Sequence, residues 1–394
     1  RTDLVKKVLD NVKKEGAIQT FKKVRERLSE YRSLGYSSCG IIEKIGEAVK
    51  DEFEPGDLVA CGGAGYAVHA EYISVPKNLC VKVPDGVKPE HAAFTTLGAI
   101  ALQGIHQAEV GLGNSVAVIG LGLIGQLTVQ LLKAAGCKVL GIDLDKWKVE
   151  LAEKMGMDIG IVSGEADPVM LSKKISNGFG VDAVIIATST KSNEPIELAA
   201  NMLRDRGRIV VVGVSQLALE REQFYRKELD LRFSRSYGPG RYDPIYEEKG
   251  IDYPIGYVRW TERRNMEAFL DLVKEGKVKL DELITHIFPI DEAPKGYDLL
   301  LGKRKERYLG ILIKYPEASE EKTKKQIIIS SGSKITPKTA GTIGVGLIGA
   351  GNFARSYILP FISKRKDVRL VGISTSTGSS ARNIADRYGF EFST

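Results

Sequence analysis

The 394-residue sequence predicts an α/β protein organised around a doubly wound parallel sheet. Residues 116–143 contain, in this order, an apolar strand, a glycine-rich turn, a stretch with helical periodicity and a second strand. Two further apolar strands, at 181–189 and 208–214, enclose a helix predicted at 194–203. Strands that alternate with helices in this way are typical of parallel sheets, which bind ligands beyond the carboxyl ends of their strands.

The glycine-rich turn has the spacing G-x-G-x-x-G at Gly120, Gly122 and Gly125. The first glycine permits a tight turn, the second lets a pyrophosphate approach the backbone, and the third lets the helix pack on the sheet. The free N–H groups at the helix start, those of Leu123 and Ile124, favour negative phosphates. The motif therefore predicts dinucleotide binding, although a turn that serves only for packing is the alternative.

An acidic residue ends the second strand of this unit. Asp143 lies 18 residues after Gly125 and is placed to accept a hydrogen bond from a ribose 2′-OH. The same carboxylate would repel a 2′-phosphate, so NAD is predicted rather than NADP. A turn that served only for packing would leave Asp143 unexplained.

Other candidates follow later strands of the predicted sheet. Thr188, Gly213 and Val214 come at strand ends and are predicted to lie on the nicotinamide side of the cofactor. Residues 234–260 hold five tyrosines, three prolines and four glycines, so they predict a long loop. The loop is either a structural or oligomer contact, or a lid from which Arg241 touches cofactor phosphate or substrate.

The flanking segments differ in period. Residues 2–30 predict two amphipathic helices broken at Gly16, and 34–84 predict a small β-rich domain. In that domain the strand-like runs are GIIEKIG, DLVACG, HAEYISV and LCVKV, and a helix follows at 89–109. Further along, a helix is predicted at 261–276, a strand at 284–290, a helix at 292–301 and a strand at 308–315.

The chain closes on a second glycine motif. A polar segment at 316–342 predicts a linker. It is followed by G-x-G-x-x-A at Gly349, Gly351 and Ala354 and by a strand that ends in Ser374, where an acid would be expected. This tail is interpreted as the first half of a second dinucleotide fold that does not bind nucleotide in this chain.

Composition excludes several function classes. The chain is 43% apolar and 27% charged, and no apolar run approaches the roughly 18–20 residues of a membrane helix. The net charge of +7 comes partly from basic runs without interleaved aromatics, which favour solvated faces over nucleic-acid binding. A start at Arg1 without Met, with no visible signal peptide, and a stop at Thr394 in mid-pattern suggest a fragment.

The cysteines are too far apart in sequence to form a metal motif. No C-x-x-C occurs, so a zinc site built from them is not expected. Free, mostly buried thiols in a reducing compartment are expected instead, which favours a cytoplasmic location. The four positions are Cys39, Cys61, Cys80 and Cys137.

From about residue 33 to 315 the chain resembles the medium-chain dehydrogenase/reductase family, the zinc alcohol dehydrogenase-like group. The resemblance rests on GYSSCGIIEKIGE, FEPGDLVA, HAEYISVP, the G-x-G-x-x-G unit and ITHIFPIDEAPKGYDLL, in that order. It implies a GroES-like β domain, partial here, into which a Rossmann domain is inserted. The implied boundaries are a helical segment at 1–32, a catalytic domain at 33–112 and 261–315, a Rossmann domain at 113–260, a linker at 316–342 and a truncated second Rossmann unit at 343–394.

The metal ligands of that family are not matched. Where zinc-dependent members carry Gly-His-Glu, this chain has Gly35, Tyr36 and Ser37, and another ligand position falls near Thr96. The first ligand would precede Arg1, and the cysteine-rich structural lobe is missing. Because hydroxyls are poor zinc ligands, no zinc is expected.

The resemblance implies hydride transfer between NAD and an alcohol or carbonyl carbon without zinc. Tyr36 is the first choice for the proton donor or acceptor, and His69 is the other possible acid–base group. Ser37, Ser38 and Thr96 are possible relay or oxyanion partners, and Lys148 matches the family's basic residue near the adenosine.

The tail, 343–394, resembles the start of the glucose–fructose oxidoreductase (Gfo/Idh/MocA) type, so the whole chain is similar to bi-domain oxidoreductases. By analogy the substrate is a small molecule such as a sugar or nucleotide-sugar, with no nucleic-acid or membrane partner, and a homo-oligomer is expected. Two alternatives stay open: a nucleotide-binding module without turnover, and a quinone- or enone-type reductase. The latter would prefer NADPH, which Asp143 disfavours.

Overall fold

The computed structural model describes two compact units. One is Leu34–Glu317, and the other contains the described C-terminal residues 341–394. The helices predicted at 2–30 and the linker predicted at 316–342 lie almost wholly outside the described residues. Within the described part, no helix combines the length and apolar character needed to span a membrane. The structure describes residues 33–316 and 341–394, together with the single positions 12, 13, 16, 20, 31, 327 and 328.

A small antiparallel sheet opens the first unit. It has the order β1–β2–β3, with β1 at Ser37–Ile41, β2 at Leu58–Gly62 and β3 at Cys80–Lys82. The strand predicted from HAEYISV is wrong, because residues 69–75 form no ladder; Ile73 and Val75 pack on an apolar cluster instead. Short 3₁₀ turns at Glu47–Val49 and Lys77–Leu79 complete the connections.

The helix predicted at 89–109 is interrupted. It consists of Pro89–Ala92 and Thr95–Ala108. The Ser37 hydroxyl donates to the carbonyl oxygen of Ala93 at 2.7 Å, so a side chain from β1 takes the acceptor that a continuous helix would use. This hydrogen bond joins residues 56 positions apart and could not be foreseen from local periodicity.

Six parallel strands form the main sheet, which confirms the predicted doubly wound parallel class. Their spatial order is β6–β5–β4–β7–β8–β9, the order of a doubly wound dinucleotide-binding sheet. Sequence analysis missed the two edge strands, β6 and β9, which have only four residues each. The strands are β4 Ser115–Ile119, β5 Lys138–Asp143, β6 Ile159–Val162, β7 Val181–Ile186, β8 Leu203–Val211 and β9 Asp230–Phe233. The helices are Leu123–Ala134, Lys146–Lys154, Pro168–Ile175, Glu194–Met202 and Arg221–Lys227.

Both faces of this sheet are buried. Along β4, Val116 and Val118 enter one apolar cluster, whereas Ala117 and Ile119 enter the cluster on the opposite face. Helices cover each face, which explains why the strands are continuously apolar rather than alternating. The loops that connect strands to helices lie at the carboxyl edge of the sheet.

The remainder of the first unit follows the predicted order. Residues 234–260 are mostly irregular, with one short helix at Pro244–Glu247, and the helix Glu262–Lys274 comes next. Strand β10, Ile284–Pro289, pairs in parallel with β11, Gly310–Lys314. These two strands form a separate sheet rather than extending β1–β3. Between them lie the 3₁₀ turn Ile290–Glu292 and the helix Ala293–Leu300.

The second unit is a small α/β layer of its own. Its sheet has the order β12–β15–β14–β13, and its core holds Leu359, Leu370 and Ile384. The strands are β12 Ile327–Ile328, β13 Ile343–Ile348, β14 Val368–Ser374 and β15 Phe392–Ser393. The helical segments are a π turn at Ala354–Ile358 continuing into Leu359–Ile362, and Gly378–Tyr388.

Candidate functional site

The three glycines of the first motif have different surroundings. Gly120 has φ +95°, and an added Cβ would lie 2.9 Å from the Thr188 amide nitrogen. A Cβ on Gly125 would lie 2.0 Å from the Gly120 carbonyl oxygen, so helix and turn meet backbone to backbone. Gly122 caps the helix Leu123–Ala134 and has no neighbour within 4 Å of an added Cβ. It therefore faces open space, where a phosphate can reach the helix N-terminus.

Asp143 stands beside this turn at the end of β5. Its Oδ2 accepts from the Leu121 amide at 2.7 Å, and its Oδ1 accepts from the Asp145 amide at 2.9 Å. The Lys148 ammonium lies 3.8 Å from Oδ1. Backbone donors thus hold the carboxylate in one orientation, and its remaining lone pairs are available to a hydroxyl donor.

Two other strand-end loops meet the glycine turn. A Cβ on Gly213 would lie 2.0 Å from the Thr188 carbonyl oxygen, and that oxygen also accepts from the Val214 amide at 3.0 Å. The Val214 side chain is 71% exposed, unusual for a large aliphatic residue. The structure therefore brings Thr188, Gly213 and Val214 together beside Gly120. Their place on the nicotinamide side of the cofactor stays a prediction.

Tyr36 lies just before β1 and presents a 45% exposed side chain. Its carbonyl oxygen accepts from the Gly63 amide at 3.0 Å and from the Thr96 hydroxyl at 3.3 Å. Partial burial raises the pKa of Tyr36 above the ordinary phenol value, so the phenol stays protonated at neutral pH. It can donate a hydrogen bond or a proton to an oxygen beside it.

Ser37 and Thr96 do not present hydroxyls to a substrate. The Ser37 hydroxyl donates to Ala93 and accepts from the Thr96 amide at 3.3 Å, and Thr96 is fully buried. Both side chains fix the backbone around Tyr36. The relay role expected from the sequence is replaced by a positioning role, because backbone groups already use these hydroxyls.

His69 lies next to the same segment. Its backbone amide donates to the Leu34 carbonyl at 2.7 Å, and its ring covers Gly35, where an added Cβ would lie 2.9 Å from ring atoms. The ring also meets Tyr297 edge-on with centroids 6.2 Å apart. Partial burial lowers the pKa of His69, which favours neutral imidazole. Among the hydrogen bonds of the described residues, none joins the His69 ring to Tyr36.

Arg241 is held within its own loop. It pairs with Glu247 at 2.5 Å and its guanidinium lies 4.2 Å above the centre of the Tyr242 ring. Only 15% of its side chain is exposed. The pair with Glu247 uses one guanidinium nitrogen, and the contact of Arg241 with cofactor phosphate or substrate stays a prediction.

Sequence analysis missed a buried polar cluster under that loop. Glu262 is fully buried, and burial together with the Glu247 charge raises its pKa to about 9. The Tyr237 hydroxyl is also buried, and Asn265 donates to the Tyr237 carbonyl at 2.9 Å. At the first position of a helix, after the cap Thr261, Glu262 has the sequence signature of an exposed first-turn acid. No local signal could have shown its burial.

The residues that the resemblance assigns to the family's zinc-ligand positions carry hydroxyl groups. The candidate donors are the Tyr36 phenol and two hydroxyls that already bond to backbone groups. In the described part of the chain, no three His, Cys, Asp or Glu side chains are grouped to hold a metal ion. Hydroxyl oxygens are weak zinc ligands beside thiolate, imidazole or carboxylate.

Family models match two segments of the chain. Residues 12–85 match the alcohol dehydrogenase GroES-like domain, and residues 124–248 match the zinc-binding dehydrogenase domain. The first contains Tyr36 and Gly63, and the second begins inside the glycine motif and contains Asp143 and Thr188. The matches therefore contain both sides of the site described above.

Individual relatives are dehydrogenases. The erythritol/L-threitol dehydrogenase of Mycolicibacterium smegmatis is 28% identical over 252 residues, 63% of this chain and 62% of that protein. The (R,R)-butanediol dehydrogenase of Bacillus subtilis is 27% identical over 304 residues, 70% of this chain and 79% of that protein. Thus the chain spans less than two thirds of the first relative and about four fifths of the second.

Solved structures share the fold. Alcohol dehydrogenase TADH from Thermus sp. ATN1 superposes with a TM-score of 0.59 at 23% identity, covering 72% of this chain and 84% of that one. Together, the two domain matches, the parallel sheet and the glycine site lead to one assignment. The chain belongs to the medium-chain dehydrogenase/reductase family of alcohol dehydrogenase-like oxidoreductases.

Proposed function

We propose that this chain is an NAD-dependent, zinc-independent oxidoreductase that moves hydride to or from the carbon of a small alcohol or carbonyl compound. The observation that carries the proposal is the open approach to Gly122 beside the fixed carboxylate of Asp143. A dinucleotide needs a phosphate site and a ribose acceptor at this separation along the chain. Both stand at the carboxyl edge of the sheet.

The residues around the glycine turn fit NAD. The amides of Leu123 and Ile124, at the first turn of their helix, are placed to hold the pyrophosphate, and Asp143 is placed to accept from the adenosine ribose. Lys148 partly balances the Asp143 charge. Next to the glycine turn lie Thr188, Gly213 and Val214. When bound, the nicotinamide ring supplies the hydride acceptor or donor.

The chain's own acid–base group is Tyr36 in this proposal. Its phenol keeps its proton at neutral pH and can pass it to a substrate oxygen as a carbonyl is reduced, or take it back as an alcohol is oxidised. Thr96 and Gly63 hold its backbone, and Ser37 ties that segment to the following helix. His69 is the second candidate, since its ring packs against Gly35, next to Tyr36.

Zinc independence is supported by donor chemistry. Polarising a substrate oxygen then depends on hydrogen bonding from Tyr36 rather than on a Lewis acid. Full activity of chelator-treated protein, with less than one zinc per chain by elemental analysis, would agree with this. Activity that is lost with the metal and restored by adding zinc would overturn it.

A small polyol or diol is the proposed substrate class, with sugars and nucleotide-sugars as the wider class. It is supported by relatives named for erythritol, L-threitol and butanediol. Purified protein should produce NADH absorbance from NAD and at least one member of such a panel. NADH binding without turnover on the panel would favour the module without catalysis, and an enone-only response with NADPH would favour the reductase alternative.

The remaining assignments are proposals of the same kind. The tail 343–394 is proposed as the start of a Gfo/Idh/MocA-type unit, supported by β13, the turn at Gly349 with φ +81°, and the parallel strand β14. A homo-oligomer in the cytoplasm, with a small-molecule substrate and no nucleic-acid or membrane partner, completes the proposal. Four free cysteines agree with a reducing compartment.

A further inference from the structure

Two of the four cysteines face each other across the small antiparallel sheet. Cys61 on β2 is directly opposite Cys80 on β3, and their sulfur atoms are 4.0 Å apart. Directly opposed residues of antiparallel strands have Cα atoms about 4.5–5.5 Å apart. Disulfides use Cα separations of about 4.4–6.8 Å. The backbone is therefore already at the spacing that a disulfide requires.

A serine extends the same row of side chains. Ser38 on β1 is directly opposite Cys61, and opposed residues project from the same face of a sheet. Its hydroxyl is buried and has no hydrogen-bond partner in the described part of the chain. Phe53 and Ala67 belong to the apolar cluster around the two thiols.

The two thiols differ in acidity. The Cys61 thiol donates to the Cys80 sulfur, and this hydrogen bond, with the Arg263 charge, lowers the pKa of Cys80. The same hydrogen bond, together with burial, raises the pKa of Cys61 well above the ordinary thiol value. The pair thus contains one thiol whose pKa is lowered and one whose pKa is raised, the order that a nucleophile and a resolving thiol require.

The other two cysteines lack these features. Burial raises the pKa of Cys39 to about 12. Burial also raises the pKa of Cys137, whose thiol donates to the Gly111 carbonyl at 3.2 Å. Oxidation is therefore expected to select the opposed pair. Because Cys61 and Cys80 are only 5% and 7% exposed, the oxidant must be small.

We propose that Cys61 and Cys80 form a modification site at which hydrogen peroxide or a similarly small hydroperoxide produces a reversible cross-strand disulfide. The Cys80 thiolate attacks a peroxide oxygen, the O–O bond breaks, and a sulfenic acid and hydroxide form. The hydroxide takes the Cys61 proton and leaves as water. The Cys61 thiolate then attacks the sulfenic sulfur and the S–O bond breaks. The departing hydroxide takes up from solvent the proton that Cys80 released when its thiolate formed, which gives the second water. Two thiols are oxidised and one peroxide is reduced.

The site lies next to the backbone that supports Tyr36. Cys61 precedes Gly62, where an added Cβ would lie 3.0 Å from the Thr96 hydroxyl oxygen, and the next residue, Gly63, donates to the Tyr36 carbonyl. Bond formation brings the sulfur atoms from 4.0 Å to about 2.05 Å and holds the side chains of Cys61 and Cys80 in one arrangement beside this segment. Lower turnover of the oxidised protein follows, a consequence that rests on the proposed function.

The test is oxidation of the purified full chain with hydrogen peroxide, alkylation of the remaining thiols and peptide mass spectrometry. The expected product is a peptide pair linked through Cys61 and Cys80, while Cys39 and Cys137 are alkylated. Dithiothreitol should restore all four thiols. Cys61→Ser should leave a sulfenic acid at Cys80 that dimedone traps, Cys80→Ser should leave Cys61 unoxidised, and Cys137→Ser should form the same link as the parent chain.

Three results would overturn the proposal. They are four alkylated thiols after peroxide treatment, a link that involves Cys39 or Cys137, and equal peroxide reactivity of the Cys80→Ser variant. Turnover is read separately. If the disulfide forms and turnover does not change, only the proposed effect on Tyr36 is contradicted. If the reduced protein turns over no substrate, the proposed function is contradicted, and the disulfide result still stands.

Discussion

Two glycine motifs with almost the same residue spacing occur in this chain, and their surroundings differ. In the first, added Cβ atoms on Gly120 and Gly125 would collide with backbone at 2.9 Å and 2.0 Å. In the second, an added Cβ on Gly349, the counterpart of Gly120, would have nothing within 4 Å. Gly351 is as open as its counterpart Gly122, and the third position is Ala354. The same local spacing therefore gives a tightly supported turn in one unit and an open turn in the other.

The strand that follows each motif also ends differently. β5 ends in Asp143, whose carboxylate accepts from the amide of Leu121 inside the glycine turn. β14 ends in Ser374, whose backbone carbonyl accepts from the Gly349 amide at 2.8 Å. A fixed carboxylate is the element that recognises a ribose hydroxyl. The comparison shows that a glycine spacing predicts a turn, while the residues around it determine how that turn is supported.

The largest effect is expected from Gly125→Ala. The new methyl group would overlap the Gly120 carbonyl oxygen, so the helix must move away from the turn, at a cost of about 1–3 kcal/mol or more. NADH binding, measured by fluorescence titration, should be lost or nearly lost. Gly351→Ala, at the second position of the other motif, is the control because its methyl group meets nothing within 4 Å. Equal, small effects of both changes would contradict the difference between the motifs.

Tyr36→Phe separates binding from turnover at the first motif. Removing the phenol oxygen removes the proposed proton donor and should lower kcat by about 10²–10⁴-fold with little change in the Kd for NADH. Steady-state kinetics with a responsive alcohol, alongside an NADH titration, measure both quantities. Tyr72→Phe, a 52% exposed tyrosine of the same domain, serves as control. Unchanged kcat would transfer the acid–base role to His69.

Asp143→Asn tests the carboxylate that the second motif lacks. Loss of a charge-assisted hydrogen bond, worth about 1.5–3 kcal/mol, should weaken NADH binding by about 10- to 100-fold. NADPH binding should weaken less or improve, because the repulsion of a 2′-phosphate is relieved. Parallel titrations with both cofactors give the ratio. Preserved discrimination against NADPH would show that Asp143 does not set it.

Glu262→Gln probes the buried acid away from both motifs, with a smaller effect that depends on pH. The folded pKa of about 9 lies above the unfolded value of 4.5, so the folded state keeps a proton that the unfolded state loses. The contribution of Glu262 to the free energy of unfolding is therefore fully present below about pH 4.5 and is lost as the pH rises through about 9. The neutral amide should remove this slope and raise the Tm at pH 8–9 relative to the parent chain. Thermal melts from pH 5 to 9 measure it, and parallel curves would contradict the buried, protonated state.

Local patterns were sufficient for some parts of the molecule and insufficient for others. The turn at Gly120, the strand ending in Asp143 and the alternation up to Val211 depend on neighbours in sequence, so spacing and periodicity predicted them. The pairing of Ser37 with Ala93 spans 56 residues and breaks a helix that periodicity made continuous. Such a bond depends on strand placement, which no local pattern contains.

The sequence by itself determined the sheet class, the glycine turn and the acid beside it, because each is specified by apolar period, backbone freedom or charge within a few residues. Only the tertiary structure decided that Thr96 and Ser37 support Tyr36, that Arg241 is paired with Glu247, that Glu262 is buried, and that Cys61 faces Cys80. These depend on strand register and on how loops pack. The physical reason is that burial and long-range contact set hydrogen bonding and pKa, and neither is encoded at a single position.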